Sequence, residues 1–533
     1  MKPSSPRYPQ SRRQPRSLSR THLARAVSAA LFASAASAPV AAQTLEEVFV
    51  TATKRSESVQ EVPLAITALS GDFVAKTNLN DIKDLVSYTP GVTGNSQDSF
   101  LDAISVRGIR TQDFGVGGDP SAAFFKNDLY EGRNGSAVTT LYDMDRAEIL
   151  RGPQGFLFGR SSVGGAFSVH TQRAEVGGGQ SGYVSLDVAE RERVALDGAI
   201  NIPVSDSFAM RFAGMYSEED GFVDNNFPGS DDLGEHEKWG FRWSTAFETD
   251  KLTVNTMVEY EDREVAGSLY RAVDTGDIWD AFDANLGGLE LAGDDEEIDS
   301  DLSLGNTDEA EVLTLGVRVD YDLGFATLTS NTGYKDHDYF YEEDYDGTPL
   351  NVNNYGQDQE GDYFQQELRI TSNAEGPLNW YAGASYYREE IDTTFTFEGE
   401  EDFFCQYYGN YYYPGYDFTG CEDLYAYYGY DFTPNPQGLL TETGRIKGEY
   451  TGWAAYVNVA YEITEDLEVE VGARYTQDDK DFSLDVPTPD SDLGPYFGYG
   501  FSTDGFIQAQ DSWDDVTGRV LVKWRPTDDG MLF

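Results

Sequence analysis

From Gly182 onward, hydrophobic and polar residues alternate with a period of two. Twelve segments show it: 182–190, 193–202, 207–217, 238–249, 252–262, 310–322, 325–337, 362–372, 378–392, 448–464, 467–482 and 512–525. Period two places alternate side chains on opposite faces of a strand, so each segment predicts one apolar and one polar face. Most are roughly ten to sixteen residues long, about twice a strand in a water-soluble sandwich and the right length for a tilted membrane-crossing strand. Their connections alternate. Tight turns fall at 203–206, Lys251, 323–324, 373–377, 465–466 and 526–530, and the loops 218–237, 263–309, 338–361, 393–447 and 483–511 lie between them. Short turns on one side and long loops on the other are what a membrane β-barrel requires.

The region before Glu175 has a different texture. "NLNDIKDLVSYTPGV" (Asn78–Val92) predicts a short helix, capped by Asn80 or Asp81 and stopped by Pro90-Gly91. "AISVRGI" (103–109), "AAFFKNDLY" (122–130) and "RAEILRG" (146–152) predict strands, which makes this a small α+β unit. "EVGGGQSG" (175–182) is a hinge by composition.

Charge and the N-terminus narrow the class. The 533 residues carry 93 Asp and Glu against 38 Lys and Arg, a net charge of −55, which disfavours nucleic acid as a partner. The 34 Tyr and 31 Phe argue against a disordered acidic chain. Residues 1–42 differ: Lys2, Arg7, Arg12, Arg13, Arg16, Arg20 and Arg25 stand without any acid, and a small-apolar run ends at Val40-Ala41-Ala42. This is the pattern of a secretory signal peptide. No later apolar run is long enough for a membrane helix, so a membrane-bound mature chain crosses as a barrel. For an exported chain, Cys405 and Cys421 can close a loop as a disulfide.

The run "DRAEILRGPQGFLFGRSSVGGAFSV" (Asp145–Val169) is dense in glycine. A phosphate loop needs Gly, four residues, then Gly-Lys and Ser or Thr, and this run lacks that spacing. With Asp143 and Met144 before it, the run resembles the plug signature of TonB-dependent outer-membrane receptors. "SVRGIR" (Ser105–Arg110) resembles an earlier plug strand, and "LEEVFVTATKR" (Leu45–Arg55) resembles the TonB box with the residues after it. Two departures stand out: "GFLFGRSS" replaces the commoner Gly-Thr-Leu-Tyr-Gly-Arg-Asn form, and Asn127-Asp128 lacks the usual glycine.

The resemblance implies a mainly β fold, an antiparallel transmembrane β-barrel with a small α+β plug in its lumen. The family has 22 strands, and about 12 are present here. It divides the chain into signal peptide (1–42), TonB box and linker (43–55), plug (56–175) and a barrel (180–533) that is expected to be incomplete at its C-terminal end. The TonB-binding residues are Glu46, Glu47, Val48, Phe49, Val50, Thr51, Ala52 and Thr53. The plug motif comprises Arg107, Gly108, Arg146, Glu148, Arg151, Gly152, Pro153, Gly155, Gly159, Arg160, Gly164 and Gly165. Arg107, Arg151 and Arg160 are expected to pair with wall carboxylates, and Glu148 with one of these arginines. The implied partners are TonB with its inner-membrane energising complex, outer-membrane lipid and a small-molecule or metal-chelate ligand, in the outer membrane of a Gram-negative bacterium.

The loop Glu398–Phe432 is dense in Tyr and Phe, and the two cysteines bracket its middle. Tyr407, Tyr411, Tyr412, Tyr416, Tyr425 and Tyr427 are candidate ligand contacts, because aromatic faces suit adaptable binding. The acid run Gly293–Glu311 does not keep EF-hand spacing and reads as a solvated outer loop. No nucleophile elbow, HExxH or metal-ligand spacing occurs, so neither an enzyme nor a cofactor or metal is expected. The functional expectation is a receptor that imports a scarce solute with TonB energy, most often a ferric siderophore in this family. The alternatives are a glycan or cobalamin receptor, or a truncated remnant or adhesin that binds without transport.

Overall fold

Period-two alternation produces one antiparallel sheet of thirteen strands, from Ser181–Val188 at one edge to Gly530–Leu532 at the other, each strand paired with the next in sequence. A computed structural model describes residues 48–533, except 52, 56, 95–103, 112–114, 134, 138–139, 229–231, 267–268, 274–296, 302–306, 374–375, 496–497 and 528–529. All twelve predicted segments lie in this sheet, and the three-residue strand Gly530–Leu532 is the thirteenth. Several strands are longer than their periodic cores: Leu439–Thr464 has 26 residues and Leu378–Glu400 has 23. The added residues come from stretches read as loops, because glycines and polar side chains at strand tips blur the alternation without breaking the ladder.

The strand Leu439–Thr464 shows how the two faces differ. Even positions from Glu442 to Ala460 are buried, whereas Trp453, Val457, Val459 and Tyr461 stand exposed on the other face. Trp453 to Tyr461 spans about 27 Å along the strand at ~3.4 Å per residue, the scale of a tilted barrel's lipid band with aromatic residues at its borders. Above Trp453 the same face turns polar at Arg445, Lys447 and Glu449. Trp239, Phe241, Trp243 and Phe247 repeat the outward aromatic face on His236–Glu248. The opposite face is polar, with buried Arg242, Glu259, Arg263, Lys335, Gln359, Glu389 and Asn458.

That polar face encloses the α+β unit, whose five-stranded sheet runs in the order Ile66–Ser70, Met144–Arg151, Gly165–Thr171, Ala122–Lys126, Leu129–Tyr130. Met144–Arg151 is antiparallel to both neighbours, and Ala122–Lys126 is parallel to Gly165–Thr171. The unit has its own apolar core, in which Ile82, Leu85, Ile104, Val106, Ile149 and Phe167 are essentially inaccessible. Phe124 and Phe167 stack with centroids 4.8 Å apart.

Local elements differ from expectation in several places. The helix expected over 78–92 is only Asp84–Ser87, and it is not capped by Asn80 or Asp81. Instead, the Asp84 carboxylate accepts from the Asn80 and Asp81 amides, a local turn that competes with helix extension. A helix at Gly71–Lys76 was not anticipated; the Ser70 hydroxyl caps it by accepting from Phe73 N. The predicted strand 103–109 shrinks to Ser105–Val106 among the described residues, and 122–130 splits at Asn127-Asp128, both with positive φ. The expected N-terminal strand is reduced to Phe49–Val50, paired with Glu57–Ser58.

Phe167→Ala should cost about 3–5 kcal/mol, the usual consequence of emptying a buried aromatic site. Limited trypsinolysis of the folded protein checks this: cleavage within 58–171 should accelerate, while the strands after 181 stay protected.

Candidate functional site

The short strand Phe49–Val50 is extended because its β-branched and aromatic residues pair in a two-residue ladder with Glu57–Ser58. Val50 is fully buried and Phe49 is 53% exposed. The chain is then clasped at Thr51. Its amide donates to Glu148 Oε1 at 2.9 Å, and Arg146 Nη2 donates to its hydroxyl at 2.9 Å. Arg146 Nε also donates to Glu148 Oε1 at 2.8 Å. Arg146 and Glu148 share one face of the strand Met144–Arg151, as residues two apart must. The clasp therefore ties the N-terminal segment to a central strand of the inner sheet.

His170 completes this cluster from the adjacent strand. Its Nε2 lies 3.5 Å from both Glu148 Oε1 and Thr51 Oγ1, and 3.1 Å from Ser168 Oγ. Burial pushes the imidazole down to about 3, so it is neutral near pH 7. Burial also raises the Glu148 carboxyl, against the pull of Arg146.

A second set of contacts fixes the inner unit to the wall. Glu389, on Leu378–Glu400, accepts from Arg133 Nε at 2.7 Å and from Arg160 Nη2 at 3.2 Å. The Arg160 guanidinium sits 3.9 Å from the Tyr387 ring centroid, 4.8 Å from Tyr130 and 5.5 Å from Tyr363. One cation thus fills an aromatic cage with a carboxylate at its mouth. Glu259 receives Lys126 Nζ at 3.0 Å, the Tyr142 hydroxyl at 2.9 Å and Arg242 Nη1 at 2.9 Å. Lys335 reaches Glu131 at 2.5 Å, and Arg318 reaches Asp128 at 2.8 Å. Such pairs repay their desolvation only when well bonded, and removing one partner costs about 3–5 kcal/mol. On another side, a cavity of about 1070 Å³ separates residues 71–84 from the wall strands between Tyr183 and Lys238.

The glycine run folds as turns around one helical turn, Gly155–Phe158. Gly152 adopts φ +101°, and a Cβ there would meet Arg107 Nη1 at 3.0 Å. A Cβ on Gly165 would stand 2.3 Å from the Leu150 carbonyl oxygen, so the two strands approach as only glycine permits. Gly152 N donates to Gly164 O, and Gly164 N to Ser121 O, both at 2.8 Å. Gly108 has φ +80° and Gly159 φ +86°, and Pro153 is exposed between them in sequence.

The arginines divide differently from expectation. Arg160 meets a wall carboxylate, but Arg151 donates to the Pro90 carbonyl at 2.8 Å and Arg107 stands exposed beside Gly152. Glu148 pairs with Arg146 rather than with Arg107, Arg151 or Arg160. Thr53 bonds Glu57, and Val48 is half-buried; Glu46, Glu47 and Ala52 lie outside the described residues.

The tyrosine-rich loop contains two helices, Glu401–Tyr412 and Cys421–Tyr428, joined by a Cys405–Cys421 disulfide. Tyr407, Tyr411, Tyr412, Tyr416 and Tyr427 are exposed on it. Tyr425 instead turns inward, packing on Phe432 at 4.9 Å and donating to the Asp492 carbonyl. Of the acid run 293–311, residues 293–296 and 302–306 lie outside the described residues; Glu297–Ile298 forms a short parallel pair with Asp224–Asn225.

Sequence reasoning missed Thr51 as the clasped residue, His170, Arg133, Glu389 and the three cage tyrosines. The Glu148–Thr51 contact spans 97 residues and Arg133–Glu389 spans 256, so no local pattern announces them.

Comparison with known proteins agrees with this geometry. Residues 58–166 match the TonB-dependent Receptor Plug Domain family. The chain is 29% identical over 125 residues to the ferrichrome outer membrane transporter/phage receptor of Escherichia coli (strain K12), covering 23% of this chain and 16% of that protein. It is 27% identical over 203 residues to the pesticin receptor of Yersinia pestis, covering 37% and 29%. In fold it resembles the ferric yersiniabactin uptake receptor of Yersinia pestis, with a TM-score of 0.66 at 16% identity over 87% of this chain and 62% of that one. The open form of the ferric-catecholate import receptor of E. coli K12 gives 0.61 at 14% identity, over 88% and 69%. The matches thus span under a third of these curated relatives' length.

Two outcomes follow from the clasp. Glu148→Gln loses the charge that holds Arg146, so a nitroxide on Phe49→Cys should gain mobility by electron paramagnetic resonance, with the sheet intact. For His170, the unfolded chain takes up a proton near pH 6.5, while the folded unit refuses it until about pH 3. Stability is therefore fully present above pH 6.5 and falls as pH drops through that window, by up to about 1.4 kcal/mol per unit. Urea unfolding at several pH values should show this slope, and His170→Gln should flatten it.

Proposed function

Taking as premise that the chain is a TonB-dependent receptor by its plug and barrel, seated in the outer membrane of a Gram-negative cell, we propose that it binds a scarce solute outside and imports it to the periplasm when TonB pulls on the segment around Val48–Thr53. The solute class that the named relatives favour is a ferric siderophore complex. The proposal includes the division into signal peptide (1–42), coupling segment (43–55), plug (56–175) and barrel (180–533).

The observation that carries this reading is the Thr51 clasp. An extended segment with one exposed residue, Phe49, offers a strand edge to a partner, and β-strand addition needs no more than that. Displacing it breaks the bonds to Glu148 and Arg146 and so loads Met144–Arg151, the strand next to the plug's edge strand Ile66–Ser70. The plug is gripped at Glu389, Glu259 and Glu131, and the cavity beside residues 71–84 lies away from Glu389 and Glu131. A pull that shifts the 71–84 side first would widen a polar passage without extracting the whole plug.

Val50→Pro tests the reading. Proline removes a backbone donor and prevents strand addition at that position. Cells should keep binding a radiolabelled ferric chelate at the surface to within about twofold, because the substitution leaves the outward loops unaltered, and should lose energy-dependent uptake by at least about tenfold. Unchanged uptake would contradict the coupling role.

A further inference from the structure

We propose that the solute captured from outside is a cation; within the siderophore reading, on whose membrane orientation this inference rests, it is a ferric hydroxamate-type chelate bearing a free ammonium group. Among the described residues, the six connections on the side opposite the tight turns, within 189–193, 220–235, 266–306, 345–353, 401–438 and 486–506, contain 19 Asp and Glu against three Arg and no Lys. Two of those arginines are already matched: Arg191 pairs with Glu219, and Arg193 with Glu219 and Asp187. The net field outside is strongly negative, and such a field concentrates cations and repels anions.

The aromatic platform carries the same sign. The connection 401–438 contains ten Tyr and four Phe and no basic residue at all. Its two helices are joined by the Cys405–Cys421 disulfide and by a small core that includes Phe404, Leu440 and Leu493. Fixed on that core, Tyr411, Tyr412, Tyr416 and Tyr430 are 62%, 66%, 57% and 70% exposed. Ring faces are negative, so they attract ammonium and guanidinium groups. A polyanionic chelate needs arginine or lysine for charge-assisted bonds, and this connection offers none. Field and platform are independent features that select the same charge.

The test uses the full-length protein in outer-membrane vesicles and five probes. Three are ferric chelates: a tris-hydroxamate with a free ammonium (net positive), the same chelate N-acetylated (neutral) and a tris-catecholate (net negative). Two are metal-free: a glucosamine oligomer and its N-acetylated neutral form. At about 10 mM salt each cationic probe that binds should exceed its neutral counterpart by about tenfold or more, and the excess should shrink at about 500 mM as screening sets in. The double variant Tyr411→Ala, Tyr412→Ala should weaken the cationic chelate about fivefold even at high salt, where rings rather than field remain. If no chelate binds but the glucosamine oligomer beats its neutral form, the siderophore reading falls and the charge inference stands. If the neutral or anionic chelate binds as well as the cationic one, the siderophore reading stands and the charge inference is overturned. It is overturned equally if no cationic probe exceeds its neutral partner, or if the tyrosine variant binds unchanged.

Discussion

Glu389 is the contact on which the arrangement depends. A membrane strand has two faces, and once lipid claims one for apolar side chains the other is free to be polar. A polar inner wall cannot be left against a packed apolar body, so whatever fills it must bring matching charges. Glu389 receives Arg133 and Arg160 at once, and the aromatic cage of Tyr130, Tyr363 and Tyr387 takes up the rest of the Arg160 cation. Two of those rings come from the wall and one from the plug, so the cage exists only when both are docked.

The same chemistry is used more sparingly at Thr51. The Thr51 amide and hydroxyl bond Glu148 and Arg146, each bond worth about 1.5–3 kcal/mol when one partner is charged, and Lys54 of the same segment lies 3.8 Å from Glu367 of the wall. The wall contacts at Glu389, Glu259 and Glu131 are more numerous. A load applied from the Val48 side therefore meets the Thr51 clasp first, then Met144–Arg151 and the Lys54–Glu367 pair, and last the wall contacts at Glu389, Glu259 and Glu131. The order of release is built into the number of buried partners at each point.

How much of this the sequence disclosed depends on the range of the interaction. Alternation is a local property, and all twelve long strands were readable from it, together with the parity of their turns. The glycines of the 145–169 run were readable as close-packing positions, and Gly165 against the Leu150 carbonyl is the clearest case. The partner of Glu148 was not: Arg146 is two residues away on the same face, whereas the more distant plug arginines were equally plausible by type. The helices at Glu401–Tyr412 and Cys421–Tyr428 were hidden because tyrosine and glycine favour no helix and leave no 3.6-residue apolar stripe. The inward packing of Tyr425 was hidden for the same reason, since which rings face out follows from a helix that could not be seen.

The most direct test of the order of release is amide hydrogen exchange on the receptor in outer-membrane vesicles, with and without the periplasmic domain of TonB under load. The Thr51 amide and then the amides of 144–151 should lose protection, while 131–133 and 158–162, anchored at Glu389, remain protected. Equal loss of protection across both regions, or a Thr51 amide that stays protected while 131–133 opens, would contradict that order.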